Sequence, residues 1–237
     1  MASLKRVQTA LKRYRASVLK AACEGRLVPT DKRQWRNVTF SELCRVQGGY
    51  AFKSSDYQSE GIPLIRISNL VNGEVTIDGK TPRLPPTYVT DYSEFLLRTG
   101  DVLIAMSGAT TGKMASFMLS EPALLNQRVG RFIVKADADA TRQYLALVVE
   151  QIARQVLRDA YGAAQPNISP KKIEAMNLAI PPIAEQTRIV ADVERRVSVI
   201  EEFHQTLSAA VDRAGAFRRS ILQQAFNGQS NAAAPTV

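Results

Sequence analysis

Pro181-Pro-Ile-Ala-Glu-Gln-Thr-Arg-Ile-Val190 opens the longest periodic stretch of the chain. From there Val190, Val193, Val197, Ile200, His204, Leu207, Val211, Ala214, Arg218, Ile221 and Ala225 follow at steps of three and four. That spacing predicts a helix with an a/d seam, made to lie along another helix. Pro181 and Pro182 suit a helix start, Glu185 suits a first turn, and Gly228 stands where the helix is expected to stop. From Ala184 to Asn227 such a helix runs about 66 Å, too long for burial in one small globule. His204 and Arg218 interrupt the seam, with Phe203 and Phe217 beside them to cover its edge.

A shorter helix of the same kind is predicted over Ser3–Glu24. Leu4, Val7, Leu11, Tyr14, Val18 and Ala21 form its seam, and Gly25 ends it. The two helix ends repeat. Ser17-Val-Leu-Lys-Ala-Ala-Cys-Glu-Gly25 aligns with Ser220-Ile-Leu-Gln-Gln-Ala-Phe-Asn-Gly228, with Ser, Leu, Ala and Gly identical. Leu4 falls on Leu207 and Tyr14 on Phe217. The expectation is a helical repeat that the chain joins part-way. The seam residues expected to pack helix on helix, or chain on chain, are Leu4, Val7, Leu11, Tyr14, Val18, Val193, Val197, Ile200, Leu207, Val211 and Ile221.

Between the helices the composition changes. Short apolar or alternating runs are broken by Gly, Pro, Asn and Asp. Strands are predicted at Trp35–Phe40, Pro63–Ile67, Glu74–Ile77, Asp101–Met106, Lys113–Met118, Val129–Val134 and Met176–Ala179. Thr141–Ala160 is apolar at helical spacing, and Ser41–Val46 and Ser169–Ala175 read as short helices. The fold class is α+β. The expected organisation is an N-terminal helix at 1–28, a globular domain at 35–180, a long helix at 181–228 and a flexible tail at 229–237.

Charge narrows the partners. Of 237 residues, 31 are Lys or Arg and 22 are Asp or Glu, a formal net charge of +9. The excess suggests an anionic partner, with nucleic acid foremost. It is unevenly spread: residues 1–33 carry nine basic and two acidic side chains, 34–180 carry 16 and 14, and 181–237 carry six and six. Cys23, Cys44 and His204 lie too far apart in sequence to suggest a zinc site. Two thiols make no disulfide framework, no signal-peptide pattern opens the chain, and no apolar run approaches ~20 residues. A soluble, cytoplasmic chain without a membrane segment is expected.

Motifs for catalysis are weak. Gly108-Ala-Thr-Thr-Gly112-Lys113-Met114 superficially resembles a phosphate loop. It has three residues between its glycines instead of four, Met114 in place of a hydroxyl residue, and a strand where a helix is needed. The single His sits on a helix seam, so a His-based triad has no support. No metal site is expected. Polar clusters on loops remain: Gly48–Tyr57, Arg66-Ile-Ser-Asn69, Ser107–Lys113, Asn126-Gln-Arg128 and Gln165–Ser169 with Lys171 and Lys172. Arg, Asn and Gln read base edges with paired hydrogen bonds, while Ser, Thr and Lys hold phosphates. The same side chains also build turns. The residues assigned to DNA contact are Lys53, Ser54, Arg66, Asn69, Thr110, Thr111, Lys113, Asn126, Gln127 and Arg128.

These same stretches carry a family resemblance. Gly49-Tyr-Ala-Phe-Lys-Ser-Ser-Asp-Tyr57, Gly61-Ile-Pro-Leu-Ile-Arg-Ile-Ser-Asn-Leu70, Gly100-Asp-Val-Leu-Ile-Ala-Met-Ser-Gly-Ala-Thr-Thr-Gly112, Leu125-Asn-Gln-Arg-Val129 and Asn177–Val190 resemble the specificity subunit of type I restriction–modification systems. Ala10–Val28 is similar to that family's central conserved region. The resemblance implies a non-catalytic reader of double-stranded DNA. Such a reader has target recognition domains that each contact half of a split sequence, spaced by conserved helices. It implies as partners DNA methyltransferase (modification) subunits, which use S-adenosylmethionine, and a restriction/translocase subunit, which uses ATP and magnesium. No cofactor is implied in this chain.

This chain departs from the family pattern by having one recognition domain. Either it is a half-size subunit that forms a homodimer on an inverted repeat, or it is the C-terminal half of a two-domain chain. The seams do not decide between pairing within and between chains. Two other readings stand beside this one. One is a coiled-coil adaptor without DNA sequence preference; the other is a nuclease or methyltransferase centre in the same domain.

Overall fold

The protein is described from a computed structural model covering residues 2–136, 138, 140–161 and 167–231. Helix α1 spans Ala2–Cys23 and ends in a Schellman turn. The Arg26 N–H donates to the Ala21 carbonyl at 2.8 Å and Gly25 to Ala22 at 3.3 Å, with Gly25 at φ +61°. The chain then enters β1 (Arg36–Thr39), a single helical turn α2 (Phe40–Leu43) and β2 (Cys44–Gly48). Next come β3 (Ile62–Ile65), β4 (Leu70–Val71), β5 (Glu74–Val75), β6 (Arg83–Leu84), the turn α3 (Tyr88–Asp91) and β7 (Leu96–Leu97). They are followed by β8 (Asp101–Ala105), β9 (Met114–Phe117), β10 (Ala123–Leu125), β11 (Val129–Val134) and α4 (Arg142–Tyr161). Then come α5 (Pro170–Glu174), β12 (Asn177–Ile180) and α6 (Ile183–Asn231).

Three layers result. A six-stranded sheet, β2-β11-β8-β9-β5-β4, carries α4 on one face and a four-stranded sheet, β6-β3-β10-β7, on the other. Alternation along the strands explains the sandwich. Val46, Ile104 and Phe132 face Tyr144, Leu145, Val148 and Val149 of α4. Leu103, Ala105, Ala115 and Phe117 face Ile65, Leu97, Ala123 and Leu125. In the second sheet β3 and β10 run parallel, pairing Leu64 with Leu124.

The start and finish of this domain are held together. β1 pairs antiparallel with β12, Arg36 opposite Ile180. Trp35 Nε1 donates to both Thr30 Oγ1 (2.8 Å) and Glu185 Oε2 (2.9 Å), tying the linker to the first turn of α6. Gln186, fully buried, accepts from the Thr141 N–H at 2.8 Å and so ties α6 to the start of α4. Helices α1 and α6 therefore leave the domain side by side. Going from Tyr14 to Pro29, the contacts on α6 run back from Arg196 to Arg188, so the packing is antiparallel and within one chain.

Val18, Leu19 and Ala22 of α1 are buried with Ile189 and Val193 of α6 and with α4. Burial of each large apolar side chain contributes about 1.5–3 kcal/mol. Val197 packs at the edge of this cluster and Ile200 is buried. Leu11, Leu207 and Val211 are half-buried, whereas Val7, Tyr14 and Ile221 are exposed. The side chains of Leu4 and His204 lie outside the described residues.

Several expectations needed correction. The short helix expected at Ser41–Val46 stops at Leu43, the end of α2; Cys44 and Val46 alternate with exposed Arg45 in β2, paired to β11. The Pro63–Ile67 strand stops at Ile65 because Ile67–Asn69 forms a 3-10 turn. Strands β4, β6, β7 and β10 have only two or three residues, too few to show a period. Helix α6 continues through Gly228 to Asn231. Glycine weakens a helix but ends it only where the chain beyond it reverses, as at Gly25. Of the expected tail, residues 232–237 lie outside the described residues, as does Gln165.

Candidate nucleic-acid interface

Four loops meet at one end of the two sheets, and backbone hydrogen bonds stitch them together. The Tyr50 N–H, after β2, donates to the Leu125 carbonyl at 2.9 Å, and Gln127 N–H donates to Tyr50 at 3.0 Å. The Asn126 N–H donates to Ile65 at the end of β3 (3.1 Å), and the Met106 N–H, after β8, to Arg128 (2.9 Å). Ile168 N–H donates to Met106 at 2.9 Å, which brings Asn167 beside Ser107. The close approach depends on Gly49: a Cβ built there would lie 2.1 Å from the Leu125 carbonyl oxygen. The loops bearing Tyr50, Arg66, Ser107–Lys113 and Asn126–Arg128 are thus one surface.

Each loop has an internal brace. In the Arg66 loop, Asn69 Oδ1 accepts from the Arg66 N–H at 2.9 Å, and Asn69 Nδ2 donates to Thr76 O (2.9 Å) and Thr81 Oγ1 (2.8 Å). In the β8–β9 hairpin, Thr111 Oγ1 donates to Gly108 O at 2.8 Å. Gly112, at φ +86°, is pressed on α4, where a Cβ would meet Leu157 backbone nitrogen at 2.8 Å. At the β10–β11 turn, Asn126 Oδ1 accepts from the Arg128 N–H at 3.3 Å.

The ten residues assigned to DNA therefore divide. Arg66, Lys113, Gln127 and Arg128 are exposed on the joined loops. Asn69, Thr111 and Asn126 are buried, and their polar groups bond within their own loops. Thr110 is half-buried with Oγ1 enclosed, and no hydrogen-bond partner for it lies among the described residues. Lys53 and Ser54 are exposed on a separate 3-10 turn after Phe52.

Tyr50, in the Gly48–Tyr57 cluster, is 42% exposed. Its ring lies 5.0 Å from Phe52, 4.8 Å from Tyr92 and 5.6 Å from Phe95, next to the Asn126–Arg128 turn. Tyr88 adds a hydrogen bond to Asp56 Oδ2 at 3.3 Å. Desolvation in this aromatic cluster, then the Asp56 carboxylate, raises the Tyr88 phenol above its ordinary value. The spacing of Tyr88 and Tyr92, one helical turn apart, was the signal available in the sequence.

A second unforeseen residue is Arg131, buried beneath the loops' scaffold. It donates to Leu96 O (2.6 Å), Glu94 O (3.0 Å), Asp101 Oδ2 (3.0 Å) and Gln47 Oε1 (2.5 Å), locking β11 to β7 and β8.

Among the described residues no three His, Cys, Asp or Glu side chains are grouped to hold a metal ion. Burial pushes the Cys23 and Cys44 thiols up to about 12, which keeps both protonated and poorly nucleophilic. Among the described residues no helix is long and apolar enough to cross a membrane.

Residues 32–212 match the family model of the type I restriction modification DNA specificity domain. The MjaVIII type I restriction enzyme specificity subunit of Methanocaldococcus jannaschii is 26% identical over 179 residues, 73% of this chain and 41% of that protein. The EcoBI specificity subunit of Escherichia coli is 25% identical over 197 residues, 82% of this chain and 39% of that one. The chain thus spans less than half the length of both. Among solved structures, the HsdS subunit from Thermoanaerobacter tengcongensis shares the fold with a TM-score of 0.58 at 20% identity. The match covers 96% of this chain and 56% of that one. A chain from a type I R-M system structure gives 0.63 at 19% identity, covering 95% and 57%.

Proposed function

The chain belongs to the type I restriction modification DNA specificity family, and from that membership we propose that its loop surface reads one half of a bipartite duplex target. The observation that carries this reading is the joining of four loops that hold Arg66, Lys113, Gln127 and Arg128 exposed on a braced backbone. Arg and Gln match purine edges in the major groove, and Lys matches phosphate. Pre-set turns spare the reader the cost of ordering these loops on binding.

In this reading the chain is not an enzyme. Methylation and cleavage belong to modification and restriction subunits that dock on it and carry S-adenosylmethionine, ATP and magnesium. Helices α1 and α6 set the distance between half-sites. The far end of α6 exposes Phe217, Ile221 and Leu222, and a second copy covering them makes a homodimer. Two-fold symmetry then requires an inverted repeat.

The test is selection from a random duplex library by the chain assembled with its modification subunit. A two-part inverted repeat is expected. A two-part target with unlike halves would replace the homodimer by a second, different recognition domain. No enriched motif would overturn sequence reading and favour the adaptor.

A further inference from the structure

Helix α1 contains six basic residues and no acidic one in 22 positions, whereas α6 carries six of each in 49. A merely solvated helix face usually mixes signs, because opposite charges one turn apart stabilise it and like charges do not. Arg15 serves packing, paired with Glu150 of α4 at 2.5 Å. Arg6, Arg13 and Lys20 recur every seven residues, about 10.5 Å apart, on the side turned away from buried Val18, Leu19 and Ala22.

All three are exposed. No ion pair is formed by Arg6 or Arg13 among the described residues, and Lys20 meets only Glu24 at 3.8 Å. Thr9 and Ala10 leave a shallow groove between the two arginines.

We propose that this face of α1 is a sequence-independent DNA contact, holding the phosphate backbone of the segment next to the half-site that the loops read. The proposal rests on the DNA-reading assignment above and adds a second surface to it. The three cations span about 21 Å of the helix at even intervals, well within one turn of duplex. Its small side chains between arginines admit a phosphate. Among the described residues no Asn or Gln stands between Arg6, Arg13 and Lys20 on this face to read a base edge, so its contribution is the same for every sequence.

The experiment uses the full chain and the triple substitution Arg6→Gln, Arg13→Gln and Lys20→Gln. Affinity is measured against salt by fluorescence anisotropy on the selected duplex and on a scrambled duplex of equal length. A circular-dichroism melt confirms that the variant is folded. The expected result is a log–log salt slope smaller by about two to three, and at least about tenfold weaker binding at 0.1 M salt, on both duplexes alike. The ratio between the duplexes stays at its wild-type value.

An unchanged slope overturns the proposal. So does an unchanged slope with weakened binding of the modification subunit, which would make the stripe a protein contact. Wild-type chain that binds both duplexes equally would instead overturn sequence reading, leaving the slope comparison to stand by itself.

Discussion

The indole of Trp35 closes over Gly25, leaving no space for a side chain: a Cβ there would stand 2.8 Å from Trp35 Cζ2. Gly25 is also at φ +61°, a conformation that other residues adopt at a cost. Gly228, its counterpart in the repeated helix end, lies within α6. The same substitution must therefore act oppositely at the two sites. Gly25→Ala is expected to lower stability by about 1–3 kcal/mol, whereas Gly228→Ala is expected to be neutral or to add up to about 1 kcal/mol. Urea midpoints of the two variants provide the check.

Asn69 and Arg66 should also separate. Asn69→Ala leaves the Arg66 N–H and the Thr76 carbonyl without their buried partner and is expected to cost about 1–3 kcal/mol of stability. Arg66→Ala removes an exposed side chain and is expected to change stability by less than about 0.5 kcal/mol while weakening DNA binding. Denaturation and binding measured on both variants distinguish brace from reader.

Arg128 and Lys113 are expected to fail in different ways. Arg128→Ala should cost about 1–3 kcal/mol on the preferred duplex and relax one target position. Lys113→Ala should weaken all sequences alike and reduce the salt slope by about 0.9. Binding to a panel of single-base variants at several salt concentrations reads both effects.

Acid should loosen the helix base. The Arg196 hydrogen bond, opposed by desolvation and aided by Arg195, holds the Asp192 carboxyl below its ordinary value. Desolvation acts against Glu185, yet hydrogen bonds from Thr30 and Trp35 outweigh it and lower that carboxyl too. A lowered folded pKa means stability that is fully present above the unfolded value and lost as pH falls through the folded one. Thermal midpoints should therefore drop as pH falls below about 4. Asp192→Asn should lower the midpoint near pH 7 and flatten its fall in acid.

Much of this arrangement was legible in the sequence, for physical reasons that differ by region. Helix periodicity located α1, α4 and α6, and Val129–Val134 was long enough to show as β11. The joining of the loops was not legible. It depends on the parallel pairing of β3 with β10, which lie far apart in sequence, and on strands too short for a pattern. Asn69, Thr111 and Asn126 were placed at the DNA because amides and hydroxyls serve turns and base edges equally well. Their burial and the turns they brace follow from packing that no local pattern shows. The seam showed which side of α1 packs, but Leu19 is 1% exposed while Leu222, its repeat partner, is 47% exposed. A repeated sequence meets different surroundings at its two ends.

The central claim is that the joined loops carry DNA recognition. Its most direct test is the affinity of the complex assembled with the modification subunit for its selected duplex, before and after the combined substitution Arg66→Ala, Lys113→Ala and Arg128→Ala. The expected result is a loss of at least about 3 kcal/mol, more than a hundredfold, with the preference over a scrambled duplex largely abolished. Unchanged affinity and preference in a folded, assembled variant would contradict the claim.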